Sequence, residues 1–86
     1  MDMVFKAYII EDGRGIQGIT RNRTEAIQTA KAAINGKIKV DAMDGYDFFL
    51  VQMLIVFKCG DCNYNFWKQL DLETREKIID DLKKNA

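Results

Sequence analysis

The sequence predicts a small single α+β domain in which a β-hairpin is followed by a helix, one or two further strands and a C-terminal helix packed on the sheet. Three observations predict this fold. Apolar residues alternate near the N-terminus, a tight-turn dipeptide follows them, and two later segments carry helix caps followed by apolar stripes. The chain has 86 residues, 48% of them apolar, so residues 1–86 have the length of one domain and the composition of a globular one.

The hairpin is predicted over residues 3–20. Its first strand alternates between the two faces of a sheet, and the inner face carries Met3, Phe5, Ala7 and Ile9. Asp12-Gly13 then favours the positive backbone angles of a tight hairpin turn. The second strand covers residues 16–20, and Gly18 interrupts its alternation, so we expect that strand to be short or bulged.

The first helix is predicted to follow the hairpin directly. Asn22 is suited to cap it, and Glu25, three residues on, to reach back to the cap. The predicted buried stripe consists of Ala26, Ile27, Ala30, Ala33 and Ile34. Asn35-Gly36 is typical of a left-handed helix end, so we expect the helix to stop there.

The middle of the chain is predicted to supply the remaining strands. Residues 37–41 alternate, which predicts a third strand with Ile38 and Val40 directed inward. The apolar stretch 44–57 has two interpretations, a buried strand or a buried helix, because a continuous apolar run has no period that separates them. We expect the strand, which gives a ββαββα-like order.

Two helices are predicted at the C-terminal end. Asn63 or Asn65 caps a short helix that runs to Leu70, and Asp71 caps the final helix. The buried stripe of the final helix consists of Leu72, Ile78, Ile79 and Leu82. We expect this stripe to cover the sheet.

The composition and the termini indicate a cytoplasmic protein without a membrane span. The longest apolar stretch, Phe48 to Phe57, contains Gln52 and is about half of the ~20 residues that a membrane-spanning helix needs. The N-terminus lacks the basic start, long apolar block and cleavage site of a secretory signal. Thirteen basic residues balance thirteen acidic ones, so no global field attracts the chain to nucleic acid or to an anionic membrane.

The spacing Gly13-x-Gly15-x-x-Gly18 follows a predicted strand and resembles the fingerprint of dinucleotide-binding folds. That fingerprint needs its glycines at a helix N-terminus, where the pyrophosphate binds. Here the cap Asn22 comes four residues after the last glycine, and the chain is too short for two mononucleotide-binding halves. We interpret the glycines as part of the hairpin and expect no nucleotide cofactor.

Cys59-Gly60-Asp61-Cys62 lies between an apolar segment and a predicted helix, and this local context resembles the redox pair of thioredoxin-like proteins. The chain has no proline, so the cis-proline of that family is missing. Two cysteines are also half of a four-thiolate zinc site, whose other ligands would come from a second subunit or from Asp61. The interpretation that we favour is a pair of reduced cysteines that only pack in a turn.

The residue types argue against an enzyme. The chain has no histidine, which removes the commonest general base and every Ser-His or Cys-His arrangement. Asp41, Asp44 and Asp47 lack the ligand spacing of a calcium loop. We therefore expect no catalytic residues, no resident metal and no cofactor.

Two groups of residues are candidates for binding. A basic edge that would contact the phosphates of a nucleic acid consists of Arg14, Arg21, Arg23, Lys37 and Lys39. The aromatic residues with polar tips, a type common at protein interfaces, are Tyr46, Tyr64 and Trp67.

The leading hypothesis from the sequence is a small non-enzymatic protein-binding or regulatory module, of the accessory or inhibitor type. Its partner is another protein and, since a chain this short buries only ~60% of its unfolded surface, also a second copy as a homodimer. A nucleic-acid-binding domain is the first alternative. A redox protein or a zinc protein with a dimer-shared site, built on Cys59 and Cys62, is the second.

Overall fold

The computed structural model describes residues 3–60 and 62–86, so Asp61, a ligand in the zinc hypothesis, lies outside the described residues. The described chain forms one three-stranded antiparallel sheet and four helices. The elements are β1 (Val4–Asp12), β2 (Gly15–Thr20), α1 (Arg23–Ala32), β3 (Lys37–Asp44), α2 (Gly45–Val56), α3 (Tyr64–Lys68) and α4 (Leu72–Lys84). The predicted α+β class, the hairpin and the C-terminal helix are confirmed.

The sheet has the order β2-β1-β3, so β1 is central and the other two strands are edges. The register of β1 with β2 shifts between Ile10 and Glu11, which confirms the expected irregularity of the hairpin. β3 pairs with β1 without a shift, from Val4 opposite Asp44 to Glu11 opposite Lys37. Because directly opposite residues point to the same face, this register assigns every side chain of β3 to a face.

The helices lie on both sides of the sheet. The face that we call the core face carries Ala7, Ile9 and Met43, which pack with residues of α2, α3 and α4 in one buried cluster. The opposite face, which we call the α1 face, carries Ile10 and is contacted by α1, whose Ala26 is fully buried. The cluster on the core face is Ala7, Ile9, Ile16, Met43, Leu50, Val51, Leu54, Cys62, Tyr64, Trp67 and Ile79.

The strand predicted over 44–57 is wrong, and the helical alternative is correct. Asp44 caps α2 by accepting a hydrogen bond from the Asp47 N–H (2.7 Å), which starts the helix where the strand was expected. Leu50, Val51 and Leu54 are buried between the sheet and α4. A helix buried on most sides is apolar almost all round, so its sequence resembles a buried strand.

Several apolar residues expected inside the domain are exposed. Ile34 lies beyond the end of α1 and is 68% exposed, and Leu72, at the start of α4, is half exposed. Ile38 and Val40 point to the α1 face of β3 and remain 37% and 54% exposed, so the predicted inward direction is wrong for both. By contrast, Ile79 of the α4 stripe is buried, as predicted.

The predicted helix caps are present. The Glu25 N–H donates to Asn22 Oδ1 (3.1 Å) and the Thr74 N–H donates to Asp71 Oδ1 (2.9 Å). Asn63, and not Asn65, caps α3. Asn35 has a φ of 54°, the left-handed conformation expected after α1.

Candidate functional site

The most distinctive surface of the domain is the open edge of β3. This strand pairs with β1 on one side, and no other strand among residues 3–60 and 62–86 pairs with its opposite side. The edge is eight residues long and its register is regular. An edge of this kind presents alternate backbone N–H and C=O groups that can pair with another extended chain.

Exposed apolar side chains follow this edge on the α1 face. Ile38 and Val40 are two residues apart, so their side chains project from the same face of β3. Val4, opposite the last residue of β3, is also exposed. A shallow groove of about 370 Å³ runs here between β1 and β3, lined by Val4, Phe5, Lys6, Val40, Asp41 and Ala42.

Charged side chains occupy the other face of the same edge. Lys39 Nζ lies 3.4 Å from Glu11 Oε1, and Asp41 Oδ2 lies 3.3 Å from Lys68 Nζ. The Tyr64 hydroxyl donates to Asp41 Oδ2 (2.9 Å). The edge therefore has an apolar row on one face and a lysine next to an aspartate on the other.

Asp41 is held in its charged form by its neighbours. Burial acts to raise the pKa of its carboxyl, but hydrogen bonds from Tyr64 and from the Ala42 N–H, together with the Lys68 ammonium, outweigh burial, so the pKa lies below its ordinary value. Burial and the nearby Asp41 carboxylate raise the pKa of the Tyr64 hydroxyl strongly, so the hydroxyl stays a donor. Asp41 is thus a negative charge fixed beside the open edge.

The aromatic residues named as interface candidates separate into two groups. Tyr64 and Trp67 are buried in the cluster on the core face. Trp67 Nε1 donates to Asp47 Oδ1 (3.3 Å), and Arg75 Nη1 lies 2.9 Å from the same oxygen. Only Tyr46 is exposed, and its hydroxyl donates to Glu76 Oε2 (2.7 Å).

The burial of Tyr64 and Trp67 favours a structural role for these side chains, in which they close a small core. Their polar tips are satisfied inside the molecule, as is usual for buried tyrosine and tryptophan. Contact with a partner would need these two residues to leave the core, whereas Tyr46 is accessible where it stands.

The five basic residues of the nucleic-acid hypothesis do not form one patch. Arg14 and Arg21 flank β2, whose six residues separate them by about 20 Å at ~3.3 Å per residue. Arg14 Nη2 lies 2.8 Å from Asp12 Oδ2, and the hydrogen bond between them lowers the pKa of the Asp12 carboxyl.

The other basic side chains are also dispersed. The Arg21 guanidinium lies over the Phe5 ring at 3.9 Å, and Arg23 opens α1. Lys37 and Lys39 lie on β3, at the opposite edge of the sheet from β2. A phosphate backbone would contact these charges at separate places. Arg14 and Lys39 each lie beside an acid, and Arg21 lies over an aromatic ring.

Cys59 and Cys62 are close together in the connection between α2 and α3. Their Sγ atoms lie 2.9 Å apart as thiols, with Cys62 buried and Cys59 half-buried. Cys59 also lines a cavity of about 420 Å³ beside the hairpin turn, together with Arg14 and Lys58. Within the described residues, no group of three or more His, Cys, Asp or Glu side chains is arranged to hold a metal ion. The packing, redox and zinc interpretations all stay hypotheses.

The glycine motif belongs to the hairpin, as predicted. Gly13 lies in the turn between β1 and β2, and Gly18 lies within β2. Gly15 has a φ of 112°, and a Cβ there would lie 3.1 Å from the Gly60 carbonyl oxygen, so the turn packs against the cysteine segment through a residue without a side chain. None of the three glycines stands at the N-terminus of a helix, where a phosphate would bind.

The sequence assigned Ile38 and Val40 to the core and therefore missed the open edge. Alternation showed that these residues share a face, but not whether a helix covers that face at their position. The only sequence signal for an edge is the pair Lys37 and Lys39, since lysine is frequent on edge strands.

A scan against protein-family models gives no match for this chain, and searches of curated proteins and of solved structures give none either. Within the part of the chain that the structure describes, no helix has both the length and the apolar character needed to cross a membrane.

Proposed function

We propose that this domain is a non-enzymatic protein-binding or regulatory module, of the accessory or inhibitor type, that receives an extended segment of a partner chain on the open edge of β3. The observation that carries this proposal is the regular eight-residue edge with Ile38 and Val40 exposed beside it. Addition of a strand to such an edge is a recurring mode of peptide recognition.

The chemistry of the edge defines the segment that fits it. The backbone of β3 supplies hydrogen bonds of about 0.5–1.5 kcal/mol each, which give affinity for a segment of any sequence. The apolar row favours partner side chains that are apolar at alternate positions. Lys39 and Asp41 favour an acid and a base at the intervening positions, because like charges directly opposite each other are destabilising.

The residue types support a binding role over catalysis. A chain without histidine or serine lacks the usual acid-base and nucleophilic arrangements. We also propose a cytoplasmic location, where Cys59 and Cys62 would remain reduced. The dispersion of the five basic residues makes nucleic-acid binding the weaker alternative proposal.

The test compares two matched valine variants in quantitative affinity capture. Val40→Lys alters the open edge, and Val56→Lys makes the same change at a comparably exposed valine on α2. The proposal expects a partner whose recovery falls about tenfold or more with the first variant and stays unchanged with the second. The purified partner is then titrated against both variants.

Two results would contradict the proposal. If recovery of every partner is the same with both variants, the β3 edge is not the binding surface. If instead the wild-type chain binds single- or double-stranded nucleic acid at low salt, and Arg14→Ala, Arg21→Ala and Arg23→Ala together remove that binding, the nucleic-acid alternative replaces it.

A further inference from the structure

We infer that the segment received by the β3 edge is the β3 strand of a second copy of this chain, paired antiparallel about a two-fold axis beside Val40. This inference rests on the proposed function and names its partner. The two sheets would join into one continuous sheet with the order β2-β1-β3-β3-β1-β2. The argument uses the direction of the backbone groups, the charge pattern and the apolar row.

The backbone of β3 directs its free groups outward at even-numbered residues. The Ala42 N–H donates to Asp41 Oδ1 (2.9 Å), a side chain of its own strand, which marks Ala42 as a residue facing away from β1. Since this direction alternates along a strand, Ile38 and Val40 share it. Two copies that meet at this edge would therefore exchange hydrogen bonds between their even-numbered residues.

The charge pattern selects one register. Around a two-fold axis beside Val40, Val40 faces Val40 of the second copy and Ile38 faces Ala42. Lys39 then faces Asp41 of the second copy, once on each side of the axis. This pair is not hydrogen-bonded through the backbone, so the Cα atoms approach to about 4.5 Å and the side chains are adjacent.

The neighbouring registers are disfavoured by the same residues. An axis beside Asp41 sets Asp41 against itself, and an axis beside Lys39 sets Lys39 against itself. Like charges directly opposite each other destabilise an antiparallel pair. An axis beside Ala42 sets Val40 against Asp44, an apolar residue against an acid. Of these four registers, only the axis beside Val40 pairs opposite charges and apolar residues without setting like charges against each other.

Burial of the apolar row, Ile38 and Val40, would favour pairing of the two edges in water. Val40 is 54% exposed in the single chain, and at the axis each copy of it would be covered by the other. Ile38 is 37% exposed and would pack against Ala42 of the second copy. Removal of this apolar surface from water favours pairing and adds to the hydrogen bonds.

One existing contact must change on pairing. The Ala42 N–H is occupied by Asp41 Oδ1 in the single chain and would have to turn to the Ile38 carbonyl of the second copy. Of about six backbone hydrogen bonds in this register, the two from Val40 and the two from Ile38 need no such exchange. Because the Ala42 N–H already has a partner in the monomer, the dimer gains little from this hydrogen bond. We therefore expect a dimer that dissociates on dilution.

The first experiment is sedimentation velocity of the full chain from about 1 µM to about 1 mM. The wild-type chain should shift from monomer to dimer with concentration. Val40→Lys sets two ammonium groups against each other at the axis and should raise the dissociation constant about tenfold or more. Val56→Lys, the matched control on α2, should leave the dissociation constant unchanged.

The second experiment tests the register. Lys39→Glu and Asp41→Lys should each lose self-association, because each sets like charges opposite each other. An equimolar mixture of the two should form a dimer again, since both pairs between positions 39 and 41 in the mixed dimer have opposite charges. Thermal melts of both variants verify that each is folded, which matters because Lys39 and Asp41 also have partners within the chain.

The outcomes separate this inference from the proposed function. A chain that stays monomeric over the whole range overturns the self-pairing, while a partner that still depends on Val40 keeps the proposed function. A dimer lost with Val56→Lys but not with Val40→Lys uses another surface and overturns the self-pairing at this edge. A dimer that survives both Lys39→Glu and Asp41→Lys does not pair these two residues and overturns the register.

Discussion

The two edge strands of the sheet, β2 and β3, differ in length, in regularity and in the side chains that they expose. β2 is six residues long, contains Gly18, and meets β1 through a shifted register, and both α1 and α2 pack along it. β3 is eight residues long and regular, and its residues Ile38 and Val40 are exposed. The shifted register interferes with further strand pairing at the first edge, and no residue of β2 is exposed.

At the second edge, β3, charged side chains alone limit pairing with another strand. Lys37 and Lys39 discourage unselective pairing, as lysines on edge strands generally do. Protection by charge differs from protection by shape, because a strand with the complementary charge order can still pair. The comparison teaches that an edge can be closed to most chains and open to a few.

The largest effect on stability is expected on the covered side. Trp67 is fully buried among the residues that pack on the core face, so Trp67→Ala should cost about 3–5 kcal/mol of unfolding free energy. Phe66→Ala, at a half-exposed neighbour on the same helix, should cost about 1 kcal/mol or less. Urea denaturation of the two variants measures both. Equal costs would mean that α3 does not close this core.

The two edges can be compared directly with one substitution type. A Cβ at Gly18 would lie 3.1 Å from Thr29 Cγ2 of α1, so Gly18→Val on β2 should overpack that contact and cost about 1–3 kcal/mol. Ala42→Val adds methyl groups at an exposed position of β3 and should change stability by about 0.5 kcal/mol at most. Thermal and urea unfolding compare them, and a similar cost at both sites would contradict a covered and an open edge.

A smaller destabilisation than those of Trp67→Ala and Gly18→Val is expected at Asp41, on the open edge. Its folded pKa is lowered, so its contribution to stability is present above its ordinary pKa of 3.8 and is lost as the pH falls through the folded value. Asp41→Asn should therefore cost on the order of 1 kcal/mol near neutral pH and nothing at the acid end.

The measurement is urea denaturation at several pH values from about 2 to about 7. Asp81→Asn, at an exposed residue of α4, is the matched control and should follow the wild-type curve. A constant difference between Asp41→Asn and the wild type at every pH would show that the charge of Asp41 contributes nothing to folding.

Local chemistry let the sequence determine several elements by itself. Asp12-Gly13 needs no distant residue to favour a turn, and Asn22 and Asp71 each accept from a helix N–H three residues away. The α4 stripe around Ile79 follows from a period of 3.6 residues. These signals act over a few residues, and for that reason the hairpin, the caps and the final helix could be predicted.

The tertiary structure alone decided the parts that matter for binding. The apolar residues of 45–56 fit a buried strand or a buried helix, and the layer formed with the sheet and α4 selected the helix. Alternation placed Ile38 and Val40 on one face, but their exposure depends on where α1 ends and on β3 being an edge. Trp67 is buried because α3 closes over the core face. Strand order and the reach of a helix are set by contacts between distant segments, which no local pattern in the sequence encodes.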